Sequence, residues 1–353
     1  MKLAIIGLPQ SGKSTVYNAL TGSQSALTIS SGRVEVNTAM LAVPDENLPK
    51  LKPIFGAKKM GPAQIAFADV TGFAGGASGE ALSGQLLNAL SGMDGLILVI
   101  RCFEDEAVPH PKGSVDPQRD LIALLEDLML NDLIAVERKL ERLAEERQKG
   151  GREITQIERE QALFQRLLED LNAGIPLREQ TLSEEERGLL AGLGLLTDKA
   201  VMVLLNLGEG QAQPQIAAEG LPLLGLQGKL EMELAQLSPA DTAEFLAEYG
   251  LSESGGQRII RAAYDMLEVQ SFYTGAEKEV RAWTLKRGAT AVQAADTIHS
   301  DMARGFIRAE VIQAAELIEL GSLAKAREEG KLRLEGKDYL VQNEDVITVR
   351  FNV

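Results

Sequence analysis

Gly7-Leu8-Pro9-Gln10-Ser11-Gly12-Lys13-Ser14 sets glycine, four residues, glycine, lysine and serine in a row, between the apolar run Lys2 to Ile6 and the helix-forming stretch Lys13 to Leu20. A strand that ends in such a loop and re-enters a helix gathers successive backbone N–H groups at the helix head, where a phosphate is held. On this pattern Leu8, Pro9, Gln10, Ser11, Gly12, Lys13, Ser14 and Thr15 form the phosphate-binding segment. Lys13 neutralises the β and γ oxygens, and the Ser14 hydroxyl ligates Mg²⁺.

The rest of the chain supplies the sheet this motif needs. Apolar runs at Ala63 to Ala68, Gly95 to Ile100 and Ala200 to Leu205 read as buried strands separated by helical segments, which implies an α/β fold with a mostly parallel sheet covered on both faces. Asp116 to Asn172 breaks the rhythm. It is rich in Leu, Glu, Arg and Lys, is interrupted at Gly150 and Gly151, and carries apolar residues at three- and four-residue spacing: Leu133, Val136, Leu140 and Leu143, then Phe164, Leu168 and Leu171. The spacing predicts an antiparallel coiled-coil hairpin with a first limb of roughly 45 Å, as a projecting arm or laid flat on the domain. Helices are expected from Ser238-Pro239 and from about Gly256. Beyond Gly275 come short alternating segments, Glu279 to Leu285, Lys331 to Leu334 and Val346 to Val353, which describe a small α+β domain.

Three further positions carry chemistry. Asp69-Val70-Thr71-Gly72 closes the second strand; Asp69 is placed to hold magnesium through water, and Gly72 to set its N–H on the γ-phosphate. Phe73 follows, where many GTP hydrolases have the glutamine that orients water, and a hydrocarbon ring cannot polarise water. Slow turnover is therefore expected unless another group substitutes. His110, in the proline-flanked loop Val108 to Lys112, is one candidate, and a solvent-exposed loop histidine is the plainer alternative. The fourth strand ends in Asn206-Leu207-Gly208-Glu209. A guanine pocket has lysine and aspartate at the second and fourth of these positions; with Leu207 and Glu209 the selection for guanine is lost, and an exposed Leu207 can pack on a purine ring.

Composition sets limits on partners. With 36 basic and 51 acidic residues the net charge is −15, the wrong sign for wholesale binding to nucleic acid or anionic lipid. Residues 279–353 carry 11 basic and 12 acidic side chains, however, so the deficit lies elsewhere, and Arg281, Lys286, Arg287, Arg304 and Arg308 are candidates for a local RNA-facing surface. One cysteine, Cys102, excludes an internal disulfide. The opening apolar run is too short for a secretory or membrane segment, so a cytoplasmic protein is expected. His299 and Trp283 read as structural.

These residues together resemble the YchF, or Obg-like ATPase, family of P-loop proteins over nearly the whole chain. The resemblance includes Gly75-Gly76-Ala77-Ser78-Gly79-Glu80, Arg101-Cys102-Phe103-Glu104-Asp105, Gly113-Ser114-Val115-Asp116-Pro117, Arg304 to Val311, Lys331 to Tyr339 and the ending Arg350-Phe351-Asn352-Val353. It implies a Ras-like nucleotide domain (1–115 with 195–275), an inserted coiled-coil arm (116–194) and a C-terminal TGS domain of ubiquitin-like β-grasp fold (276–353). It also implies ATP favoured over GTP, a histidine at the place of His110 as catalytic substitute, and base contacts from the segment holding Gly228, Lys229 and Leu230. Three positions depart from the pattern. Gln10 replaces an asparagine associated with potassium coordination, which puts potassium dependence in doubt. Thr28 to Arg33 offers no aligned threonine to magnesium, leaving Thr28, Ser30 or Ser31, and Gly228 stands for an alanine. The expected function is a slow Mg²⁺-dependent ATPase acting as a switch on a ribosome or RNA partner, against a nucleotide-stabilised scaffold or a conventional GTPase.

Overall fold

A computed structural model describes residues 1–22, 34–72, 82–248 and 252–352. Its strands are β1 Lys2–Ile6, β2 Val36–Ala42, β3 Lys59–Gly61, β4 Gln64–Val70, β5 Gly95–Arg101, β6 Ala200–Asn206, β7 Leu223–Leu226, β8 Val269–Gly275, β9 Glu279–Lys286, β10 Phe306–Gln313, β11 Arg333–Glu335 and β12 Asp345–Phe351. Its α-helices are α1 Lys13–Thr21, α2 Leu48–Ile54, α3 Gly84–Ser91, α4 Pro117–Lys149, α5 Ile154–Asn172, α6 Glu184–Leu190, α7 Gly228–Leu234, α8 Pro239–Glu248, α9 Gly255–Met266, α10 Ala291–Ile298, α11 Ser300–Arg304, α12 Ala314–Leu320 and α13 Leu323–Glu328. The chain divides into two compact units, residues 1–39 with 66–256 and residues 40–65 with 257–353.

The first unit is built on the sheet β2-β4-β1-β5-β6-β7. The β1–β4, β1–β5, β5–β6 and β6–β7 pairs are all parallel, and every residue of β1, β4, β5 and β6 except Lys2, Gln64 and Ala200 is buried, which is why these four strands are nearly continuous apolar runs. Leu96, Leu98 and Ile100 of β5 share one core with Leu121, Leu124 and Leu128 of α4, so the start of the long helix belongs to the domain itself. Asp116 caps α4 by accepting from the Arg119 N–H, with Pro117 in the first turn. Beyond that the helix leaves the sheet core. Val136 and Leu143 pack with Ile157, Phe164, Leu167 and Leu171 of α5, forming the expected hairpin. At 33 residues α4 is about 50 Å long. Where the core changes hands, fully buried Asp132 accepts from the Leu196 N–H at 2.8 Å, the Thr197 N–H at 2.7 Å and the Thr197 hydroxyl at 2.6 Å, fixing the returning chain to the helix.

The second unit has the sheet β11-β10-β12-β8-β9-β3. β8–β9 and β10–β12 are antiparallel, while β12–β8 and β3–β9 are parallel. On one face Phe272, Leu285, Phe306, Val311 and Ile347 close over α10. On the other, Tyr273, Val280, Ile312 and Val346 pack with Leu317 of α12 and with Leu48, Leu51, Ala57 and Ala63. Those last four come from the segment between β2 and β4, which the sequence reading assigned to the nucleotide domain. The expected boundary after residue 275 falls in the turn of the β8–β9 hairpin, where seven residue pairs are in register across it. Trp283 lies on β9 and donates to Thr274 Oγ1, and His299 caps α11. Three of the five candidate RNA-facing cations are engaged with carboxylates: Arg281 with Glu279, Arg287 with Asp265 and Arg304 with Asp301.

Candidate nucleotide-binding site

The loop after β1 is shaped by two glycines. A Cβ on Gly7 would run into the Val99 carbonyl, and one on Gly12, at φ +89°, would overlap the Asn206 amide nitrogen. Gln10 also takes a left-handed φ, +62°, a conformation that costs a non-glycine residue roughly 1–2 kcal/mol. α1 then starts at Lys13 with no side-chain cap, so its head presents unsatisfied N–H groups toward the loop. Lys13 Nζ donates to the Gly7 and Leu8 carbonyls at 2.9 Å each. Burial lowers its pKa to about 8, against the opposing pull of Asp69.

Ser14 Oγ donates to Asp69 Oδ2 at 2.8 Å, joining the first turn of α1 to the end of β4. Burial raises the Asp69 carboxyl above the usual carboxylate range, opposed by the Ser14 hydrogen bond and by Lys13. The second oxygen, Oδ1, is buried without a partner. An orphaned carboxylate oxygen beside a hydroxyl at the head of a phosphate loop fits a hydrated divalent cation, which prefers oxygen donors and keeps its own waters. Thr15 completes the turn, half-buried. Gly72 follows β4 at φ +85°. Phe73, the glycine-rich segment 75–80 and the switch residues Thr28, Ser30, Ser31 and Arg33 lie outside the described residues.

On the base side Asn206 is a buried bridge. Its Nδ2 donates to the Ser11 carbonyl at 3.0 Å, and its Oδ1 accepts from the Gly228 N–H at 3.3 Å, joining the phosphate loop to the start of α7. An added Cβ on Gly228 would stand 2.6 Å from that Oδ1, so glycine suits the place where the family resemblance expects alanine. The turn after Asn206 is pinned: the Gly208 N–H donates to Gln211 Oε1 at 2.7 Å, and Gln211 Nε2 donates to the Cys102 carbonyl at 2.8 Å. Glu209 and Lys229 are exposed and Leu230 is half-buried. Leu207 departs from expectation. Its N–H continues the β6–β7 ladder by donating to the Leu226 carbonyl, and its side chain is 9 % exposed and packs in the sheet core rather than standing exposed.

His110 is likewise not the exposed loop residue of the plainer reading. Its side chain is 3 % exposed, with Nε2 2.8 Å from Asp120 Oδ2 in the first turns of α4. Nδ1 accepts the Lys112 N–H at 3.1 Å. Both ring nitrogens thus face groups of the protein itself. Asp120 escaped the sequence reading because a carboxylate at a helix start reads as an N-terminal charge. Arg101 escaped it because a cation at a strand end reads as surface; here it is 2 % exposed.

A parallel sheet carrying this loop at the head of its first helix, with Asp69 and Asn206 at the ends of neighbouring strands, defines a P-loop nucleotide-binding domain. Comparison with known proteins narrows the class. Residues 2–139 match the family model described as "50S ribosome-binding GTPase", and residues 269–352 match the YchF-GTPase_C model, described as a protein of unknown function. The chain is 36% identical over 365 residues to the ribosome-binding ATPase YchF of Bacillus subtilis, covering 99% of this chain and 98% of the relative. It is 38% identical over 364 residues to that of Haemophilus influenzae, covering 100% and 99%. Among solved structures, the Schizosaccharomyces pombe YchF GTPase superimposes with a TM-score of 0.80 at 26% identity, over 99% of this chain and 97% of that one. A GTP-binding protein from Pyrococcus horikoshii, TM-score 0.58 at 17% identity with both chains covered in full, shares the fold. The chain belongs to the YchF family.

Proposed function

We propose that this YchF-family protein is a Mg²⁺-dependent ATPase of slow intrinsic turnover that acts as a nucleotide-controlled factor on the ribosome. The observation that carries the reading is the Ser14–Asp69 contact at the head of an uncapped helix, with Asp69 Oδ1 buried and unpartnered. Ser14 and, through water, Asp69 are the residues that would hold the cation, which when bound neutralises charge on the β and γ oxygens. Lys13 moves from the Gly7 and Leu8 carbonyls to the phosphates, and the Gly72 N–H meets the γ-phosphate. Base choice rests on the backbone of Leu207 and of Gly228 to Leu230, because both ends of the Asn206 amide are engaged within the protein and Glu209 replaces the guanine-reading aspartate. That favours ATP over GTP. The engagement of His110 with Asp120 supports slow hydrolysis.

The relatives are named as ribosome-binding, and the near-neutral charge of 279–353 in an acidic chain supports RNA contact through the C-terminal unit, a TGS domain on this reading, together with the helical hairpin. Calorimetric titration of nucleotide-free protein with ATP and with GTP, followed by phosphate release with and without ribosomes, tests the proposal. ATP should bind more tightly and release should rise with ribosomes; clear GTP preference overturns it. Tight ATP binding with no release under either condition identifies instead a nucleotide-stabilised scaffold, the reading that the buried His110 favours.

A further inference from the structure

Glu231, in the first turn of α7, is only 7 % exposed, and a carboxylate is buried this far only where its oxygens find donors. It finds one at the head of another helix. The N–H of Gly255, the first residue of α9, donates to both carboxylate oxygens, at 2.9 Å to Oε1 and 3.0 Å to Oε2. A negative group suits that place, because the leading N–H groups of a helix have no partners within it. The approach is also close. A Cβ on Gly255 would stand 2.5 Å from Glu231 Oε1 and 2.2 Å from Leu226 Cδ1, so glycine is what lets α9 close on both residues.

Leu226 and Glu231 bracket the segment on which base choice rests. Leu226 ends β7, Glu231 ends the first turn of α7 with its own N–H on the Gln227 carbonyl, and Gly228, Lys229 and Leu230 lie between them. Two other anchors of this segment reach toward β6 and the turn after it: the Gly228 N–H on Asn206 Oδ1, and the Gly210 N–H on Gln227 Oε1 at 3.2 Å. Glu231 reaches elsewhere, to a helix that carries none of the residues assigned to the nucleotide. We infer that Glu231 is a positioning residue for the purine base. By pinning the first turn of α7 to the head of α9 it sets where the Gly228 to Leu230 backbone stands. Coupling of this kind is reciprocal, so an occupied base site in turn steadies the head of α9, just before the chain leaves the first unit after Gly256. Glutamine cannot replace the carboxylate, because it offers the Gly255 N–H one acceptor and turns a second donor toward it. This inference rests on reading the site as a nucleotide site.

The test measures binding of ATP and of inorganic tripolyphosphate with Mg²⁺, and amide hydrogen exchange at Gly255 and Gly256 with each ligand, for the unsubstituted chain, Glu231→Gln and Gly255→Ala. Glu231→Gln should weaken ATP by about tenfold, within the ordinary range of coupling between two sites, and leave tripolyphosphate within about twofold. Gly255→Ala, which forces the helix head away from the carboxylate, should reproduce the ATP-selective loss with Glu231 intact. In the unsubstituted chain ATP should slow exchange at the head of α9 by about fivefold or more while tripolyphosphate does not, and Glu231→Gln should abolish the difference. A merely structural contact would weaken both ligands alike and leave exchange blind to the base. Equal weakening of ATP and tripolyphosphate therefore overturns the inference, as does unchanged ATP affinity in Glu231→Gln. The exchange comparison on the unsubstituted chain decides even where a variant does not fold: equal effects of the two ligands, or none, refute the coupling. If the unsubstituted protein binds neither ligand, the nucleotide reading itself fails and takes this inference with it.

Discussion

Replacing Asn206 by alanine tests whether one buried amide joins the two halves of the nucleotide site. The substitution removes the donor to the Ser11 carbonyl and the acceptor for the Gly228 N–H, both buried contacts. Each backbone group left unsatisfied costs about 1–3 kcal/mol. With water entering the vacated space as partial compensation, the loss comes to about 3 kcal/mol. For a unit of this size that is a fall in melting temperature of roughly 6–12 °C, read by circular dichroism on nucleotide-free protein. Asn206→Asp sharpens the test. Its carboxyl can still accept from Gly228 but faces the Ser11 carbonyl, and it donates there only when protonated. Burial raises the pKa of the introduced group, so the folded state binds its proton more tightly than the unfolded chain does. The variant is therefore most stable at low pH and loses stability as pH rises past the ordinary carboxylate value. A melting temperature within about 2 °C of the unsubstituted protein for Asn206→Ala, or a pH-independent deficit for Asn206→Asp, would refute the bridge.

Lys13, lowered by burial to about 8, binds fewer protons in the folded than in the unfolded chain between there and 10.5, so this group makes nucleotide-free protein more stable with rising pH across that window. ATP phosphates draw the proton back; calorimetry in buffers of different ionisation enthalpy should show proton uptake on binding near pH 9 and almost none at pH 7, and no uptake at the higher pH contradicts the assignment. Gly228→Ala sets helix propensity, a gain of about 1 kcal/mol, against a Cβ 2.6 Å from Asn206 Oδ1, an overpacking cost of about 1–3 kcal/mol. Because Asn206 is held at both ends the cost should win, and a raised melting temperature refutes that. Phe164→Ala empties the hairpin core beneath Lys139 and should cost about 3–5 kcal/mol in denaturant unfolding, with faster amide exchange in α4 and α5 and unchanged ATP affinity.

What could be read from the chain and what could not divide along physical lines. β1, β4, β5 and β6 announce themselves because burial on both faces demands unbroken apolar runs, and the phosphate loop because its glycines have fixed spacing. The hairpin was legible from its seam. Contacts between residues far apart in sequence were not. Nothing local in Leu48 to Ala63 says that these residues complete a sheet whose other strands begin at Val269. Leu207 follows a strand end, where sequence alone implies a loop, while the folded chain continues the ladder to Leu226 and buries the side chain. Buried polar residues are the least visible. Arg101, His110 with Asp120, and Asp132 all have partners that only the folded chain supplies, so composition and periodicity pass them over.

The residence of segment 40–65 in the C-terminal sheet bears on how this protein can be taken apart. The polypeptide crosses from one unit to the other three times, after Ala39, after Ile65 and after Gly256. A fragment beginning at Gln257 would lack the edge strand β3 and, keeping only Ala314, Leu317 and Ala326 as cover, would leave part of the apolar face formed by Tyr273, Val280, Ile312 and Val346 open. The complementary fragment would carry Leu48, Leu51, Ala57 and Ala63 with nothing to cover them. The tail is therefore no portable module: a functional graft or truncation has to transfer two stretches of chain together, and a protease cut between them leaves both pieces held by non-covalent packing rather than freed.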